Sequence, residues 1–145
     1  MNVAFTGLDD QAKVLRAEID RRIARVLDHG RFIMGPEVSE FESALASFCG
    51  ASNAIGVANG TDALQIALMA GGIKSGDAVF LPAFTYTATA EVIMILGAIP
   101  FFVDVYAATF NIDCGHLETQ IKRAQELGIR PAAVIGVDLF GLPAD

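Results

Sequence analysis

The sequence predicts an α/β fold: a mostly parallel sheet with helices on both faces, preceded by two helices. Three observations carry this. Strand-length apolar runs alternate with helical patterns from residue 54 onward. Those runs lack period-two polarity, as expected where both faces of a sheet are covered. Glycine or proline marks nearly every change of pattern.

The elements follow in order. Leu8, Ala12, Leu15, Ile19, Ile23 and Val26 recur at three- and four-residue steps, which predicts an amphipathic helix. Asp9 or Asp10 is its expected N-cap, Gly30 lies just past its end, and His29 is placed to meet its last carbonyls. Gly35-Pro36 opens a second helix with Val38, Phe41, Leu45 and Phe48 on one face, closed by Gly50. Residues 54–58 read as a short strand leading through Asn59-Gly60-Thr61 into a helix from Asp62 to about Ala70, which Gly71 and Gly72 stop. Strands at 77–81, 100–105 and 131–140 follow, with helices from about Thr87 to Leu96 and from Asp113, its expected cap, to Gly128. The expected division is a helical segment at 1–50 and an α/β segment at 51–145. No helix follows the last strand, so the α/β segment is read as truncated.

Charge and composition remove several classes. Ten basic against seventeen acidic residues give a formal net charge of −7, which argues against a nucleic-acid binder. No apolar run is long enough to span a bilayer, and no signal peptide is recognised. His29 and His116 lie outside any ligand-spaced motif, so no metal is expected. Cys49 and Cys114 are the only cysteines, and a reduced, cytoplasmic protein is the simpler reading.

Ligands of open α/β sheets gather at the carboxyl ends of strands. Asn59-Gly60-Thr61-Asp62 reads as a glycine turn entering a helix N-terminus, where free amides and the helix dipole favour an anion. An ordinary turn capped by Thr61 is the plainer alternative. The segment 82–89 leaves a strand end with Phe84 and Tyr86. Tyr86 can lay its ring on a flat heteroaromatic ligand, or both aromatics can simply be core. Asp113 reads as a cap and Asp104 as a turn residue, while Asp138 stays open. Lys13 and Lys122 lie on amphipathic helices and Lys74 in a glycine-rich turn; none reads as a desolvated, nucleophilic lysine. Neither a GxGxxG fingerprint nor a Walker loop occurs.

The ordered set of segments 28–38 (DHGRFIMGPEV), 57–64 (VANGTDAL), 82–90 (PAFTYTATA), 102–105 (FVDV), 111–113 (NID) and 139–145 (LFGLPAD) resembles the DegT/DnrJ/EryC1/StrS sugar aminotransferases. The likeness runs over essentially the whole chain, and its first two segments look closest to enzymes that aminate a 3-keto UDP-sugar acid. It implies the N-terminal part of a fold-type-I large domain that binds pyridoxal 5'-phosphate. It implies that Gly60 and Thr61, with Asn59 beside them, hold the cofactor phosphate and that Tyr86 stacks on its ring. Arg31, Phe32 and Met34 match a segment near the nucleotide-sugar site. The family's pyridine-nitrogen carboxylate and its Schiff-base lysine are expected beyond Asp145, so no catalytic residue is assigned in this chain. Val105-Tyr106-Ala107 replaces the family's more usual acidic-proline turn.

The resemblance thus implies amino transfer from glutamate to a nucleotide-linked keto sugar by a homodimer, in surface polysaccharide or natural-product sugar synthesis. The 145 residues alone are expected to be inactive. A sugar dehydratase of the same family and a non-catalytic, phosphate-binding α/β module are the alternatives.

Overall fold

A computed structural model describes residues 6–145; the first five residues of the expected 1–50 segment lie outside them. The chain divides into two compact units, one ending at Gly56 and one beginning at Val57.

The first unit is built on α1 (Leu8–His29) and α2 (Pro36–Cys49). The helical period begins at Leu8, so Gly7 is the N-cap of α1, and Asp9 and Asp10 fall in the first turn instead of capping it. There they face the positive end of the helix dipole. Gly30 ends α1 with φ +65° and Gly50 ends α2 with φ +67°, left-handed values at which glycine is favoured. His29 does not bond the last carbonyls. Its Nδ1 accepts the Arg31 amide at 3.0 Å, which leaves Nε2 to donate to Glu37 of α2 at 3.1 Å. Arg25 adds ion pairs to Glu37 and Glu40, so polar contacts link the two helices. The hydrogen bond from His29, reinforced by Arg25, holds the Glu37 carboxyl below the usual range.

Residues 54–58 do not form a strand. A strand requires a partner, and the sheet among the described residues offers none at this point. Ile55 is exposed, and the Gly56 amide donates to the Glu42 carboxylate at 2.6 Å.

The second unit contains α3 (Gly60–Ala70), β1 (Ala78–Pro82), α4 (Ala88–Ile95), β2 (Ile99–Val103), α5 (Cys114–Glu126) and β3 (Pro131–Val134). The three strands form a parallel sheet in the order β2-β1-β3. Every residue of the central strand β1 is buried. Val79 and Leu81 point to one face, where Leu68 of α3, Val92 and Ile93 of α4 and Ala98 cover them. Ala78 and Phe80 point to the other, packed with Val103, Ile112 and Ala124 of α5. The expected double-sided cover is therefore present, built on three strands.

Two strands are shorter than their apolar runs. β2 stops at Val103 because Asp104 diverts the backbone: its amide donates to His116 Nδ1 at 2.9 Å and its carboxylate accepts the Val105 amide at 2.9 Å. β3 stops at Val134, the Ile135 amide adds one bond to the Phe80 carbonyl, and a 3₁₀ turn at Leu139–Gly141 follows. Buried Asp77 pairs with Arg130 at the amino ends of β1 and β3 and accepts the Lys74 amide at 2.7 Å.

Candidate functional site

The N-terminus of α3 is organised by Asn59. Its Oδ1 accepts the Asp62 amide at 2.9 Å, and its Nδ2 donates to the Asp62 carboxylate at 3.1 Å. Asn59 is thus the N-cap, the place given to Thr61 in the ordinary-turn reading. An extended residue with a short amide side chain suits this position. The Ala63 amide donates to the Asn59 carbonyl. The amides of Gly60 and Thr61 precede the helical ladder and donate to no protein group among the described residues. A Cβ built on Gly60 meets nothing within 4 Å, so the protein leaves open space beside these amides. Two free donors at a positive helix end, with glycine giving close access, fit a phosphate group.

The loop 83–87 leaves the carboxyl end of β1. The Ala83 amide still donates to the Val103 carbonyl at 2.7 Å, which anchors the loop's start. The Tyr86 carbonyl accepts the Thr89 amide at 3.1 Å, and the hydroxyls of Thr85 and Thr89 lie 3.3 Å apart. Tyr86 is 78% exposed, so its ring is outside the core and free to meet a ligand. Phe84 is likewise exposed and packs on Phe110. Core packing therefore accounts for neither aromatic. α3 and α4, the helices that follow the cradle and this loop, pack together on one face of the sheet through Leu68, Val92 and Ile93.

The aspartates divide as follows. Asp113 caps α5, accepting the Gly115 and His116 amides at 2.8 and 3.0 Å. These amides, then the Tyr106 hydroxyl, hold its carboxyl below the usual range against desolvation. Burial first, then the Asp113 charge, raises the Tyr106 phenol. Asp104 serves its turn. Asp138, left open by the sequence, accepts the Ala144 amide at 2.8 Å and so closes a turn.

None of the three lysines belongs to the cradle. Lys13 and Lys122 are exposed in ion pairs with Asp10 and Glu118. Lys74 follows the far end of α3, an eleven-residue helix about 16 Å long. Arg31, Phe32 and Met34 belong to the first unit, in the turn between α1 and α2. Phe32 and Met34 are exposed, and Met34 has φ +48°. Gly35 is required there, because a Cβ would lie 2.5 Å from the Arg31 carbonyl oxygen. Among the described residues, no cluster of metal-ligating side chains occurs, and no helix is long and apolar enough to cross a membrane.

Two features of this end of the sheet escape sequence reasoning. Phe110 and Phe140 both adopt left-handed backbone, at φ +61° and +56°. Asn111 next door carries the better local signal for that conformation.

The chain is similar to several known proteins. A UDP-2-acetamido-2-deoxy-3-oxo-D-glucuronate aminotransferase from Pseudomonas aeruginosa is 47% identical over 143 residues, 99% of this chain and 38% of the relative. The crystal structure of a DegT DnrJ EryC1 StrS aminotransferase from Brucella abortus superposes with a TM-score of 0.94 at 44% identity, covering 99% of this chain and 39% of that one. DesV from Streptomyces venezuelae, crystallised in complex with a ketimine intermediate, gives 0.87 at 39% identity, covering 99% and 37%. The chain therefore spans well under half the length of the relatives it matches. The DegT/DnrJ/EryC1/StrS aminotransferase family itself matches residues 13–145. With the parallel sheet and this match in agreement, the chain belongs to that family.

Proposed function

We propose that the second unit carries the phosphate cradle and ring shelf of a pyridoxal 5'-phosphate site, and that the chain acts as part of a sugar aminotransferase. The observation that carries the reading is the open pair of amides at Gly60 and Thr61, held in place by the Asn59 cap. Gly60 and Thr61 bind the phosphate, Asn59 fixes the first turn that presents their amides, and Tyr86 stacks on the pyridine ring. When bound, the cofactor supplies the electron sink that amino transfer requires. The chain's own groups bind and orient; no proton-transferring lysine is assigned among them.

The relatives' names support a nucleotide-linked keto sugar as acceptor, in particular a 3-keto UDP-sugar acid; surface polysaccharide synthesis is the proposed setting. Glutamate is the proposed donor. Arg31, Phe32 and Met34 are the proposed contacts to the nucleotide sugar. We assign the 51–145 segment to the cofactor domain, and a cytoplasmic homodimer as the working form. The purified 145-residue chain, mixed with pyridoxal phosphate, binds it in competition with inorganic phosphate, shows no visible band of a lysine-bound cofactor, and turns over no keto sugar. Turnover, or a lysine-bound band, contradicts the assignment.

A further inference from the structure

The carboxyl ends of all three strands are joined by one run of aromatic rings. Phe84 follows β1, Phe110 follows β2 and Phe140 follows β3. Phe110 sits between the others, 5.4 Å from Phe84 (tilted) and 5.4 Å from Phe140 (edge to face). None of the three belongs to either core cluster, and Phe84 and Phe140 are more than half exposed. Burial alone therefore does not explain them.

The backbone at two of these rings is strained. A bulky residue at positive φ is an outlier that persists only where its surroundings over-determine it. Phe110 ends a tight loop: its amide donates to the Tyr106 carbonyl at 2.8 Å, the Tyr106 amide donates to the Asn111 carbonyl at 2.9 Å, and Val105 bridges Ile112. Glycine satisfies such a position without cost. Phenylalanine at this position adds only a ring, and that ring contacts the loop carrying Tyr86 on one side and the 138–144 turn on the other. The turn is itself pinned to this hairpin, since buried Asn111 donates from Nδ2 to the Pro143 carbonyl at 3.2 Å.

We infer that Phe110, braced by Phe140, is a positioning residue: through Phe84 it fixes the 83–87 loop and so sets the Tyr86 ring for stacking on a flat heteroaromatic ligand. This rests on the cofactor reading for the ligand's identity, but not for the coupling between the loops.

The test uses the 145-residue chain and two probes, pyridoxal phosphate and inorganic phosphate. Phe110→Gly weakens pyridoxal phosphate about tenfold, the scale of one lost aromatic contact, and leaves the dissociation constant for inorganic phosphate within about twofold, since the cradle is untouched. In a Tyr86→Ala background, Phe110→Gly has no further effect on pyridoxal phosphate. Unchanged pyridoxal phosphate affinity with a raised thermal midpoint overturns the proposal, because the ring is then merely tolerated. Equal weakening of both probes also overturns it. Phe140→Leu, which leaves the hairpin backbone alone, gives the same pattern more weakly and stands in if Phe110→Gly does not fold. If the unsubstituted chain binds neither probe, the cofactor reading fails, and the coupling is read from ligand-free amide spectra. Phe110→Gly then shifts the 83–87 resonances and spares 59–62; unmoved 83–87 resonances overturn it.

Discussion

α1 and β1 are both legible as apolar patterns, yet different physics holds them. The 22-residue helix buries none of its side chains, whereas the five-residue strand buries all five. On α1, Leu15, Ile19, Ile23 and Leu27 form an apolar stripe that is exposed along its length. The helix keeps its shape through local bonds and through side-chain pairs such as Arg16–Asp20 and Glu18–Arg22. β1 has no such local support. Its order comes from two neighbouring strands and from helices on both faces. An amphipathic period states that a face is suited to burial; it does not name what buries it.

Substitutions that exploit this contrast rank by burial. Phe80→Ala, which empties a fully buried site on β1, lowers the unfolding free energy by about 3–5 kcal/mol. Ile23→Ala on the exposed stripe changes it by about 0.5 kcal/mol or less. Urea titration of the two variants measures both, and similar losses would erase the distinction.

A smaller loss follows from the polar anchor of β1. The hydrogen bond from Arg130 first, then the Lys74 amide, holds the Asp77 carboxyl below its ordinary value against desolvation. A folded-state value below the unfolded one contributes stability that is fully present above about pH 4. That contribution is lost as pH falls through the lowered value. Asp77→Asn therefore lowers the thermal midpoint at neutral pH and flattens its fall on acidification. An unchanged pH slope would show that the pair contributes nothing.

Asn59→Ala removes the cap of α3 and costs about 1 kcal/mol, read again from the urea midpoint. At the bottom of the scale, Arg21→Ala breaks an exposed pair with Glu18 and leaves the midpoint where it was.

Burial also explains what the sequence disclosed. The alternation of strands and helices was legible because β1, α4, β2 and α5 carry strong apolar patterns between glycine or proline stops. The Asp113 cap and the Gly30 and Gly50 helix ends were legible because one residue type suits each position. Residues 54–58 misled because an apolar run shows strand tendency but not a partner. The ends of β2 and β3 misled because Asp104 and the turn at Leu139–Gly141 interrupt runs that are apolar on paper. The candidate site was legible at Gly60, Thr61 and Tyr86, where local chemistry and family likeness coincide. The role of Asn59 was only half visible: the sequence sets it beside the proposed phosphate site, and the structure makes it the cap of α3. The aromatic run from Phe84 to Phe140 was not legible at all. It arises where parallel strands bring residues 56 positions apart to one edge, which no local window contains.

The most direct test of the cradle is Gly60→Ala. The protein itself leaves space for the added methyl, which meets nothing within 4 Å, and alanine suits a helix, so folding is undisturbed. The methyl instead occupies the approach to the Gly60 and Thr61 amides. In a titration of the 145-residue chain with pyridoxal phosphate, competed by inorganic phosphate, the substitution weakens binding by about tenfold or more without lowering the thermal midpoint. Equal affinity in the two proteins, or no phosphate-competed binding by the unsubstituted chain, would contradict the assignment of this helix end as the phosphate site.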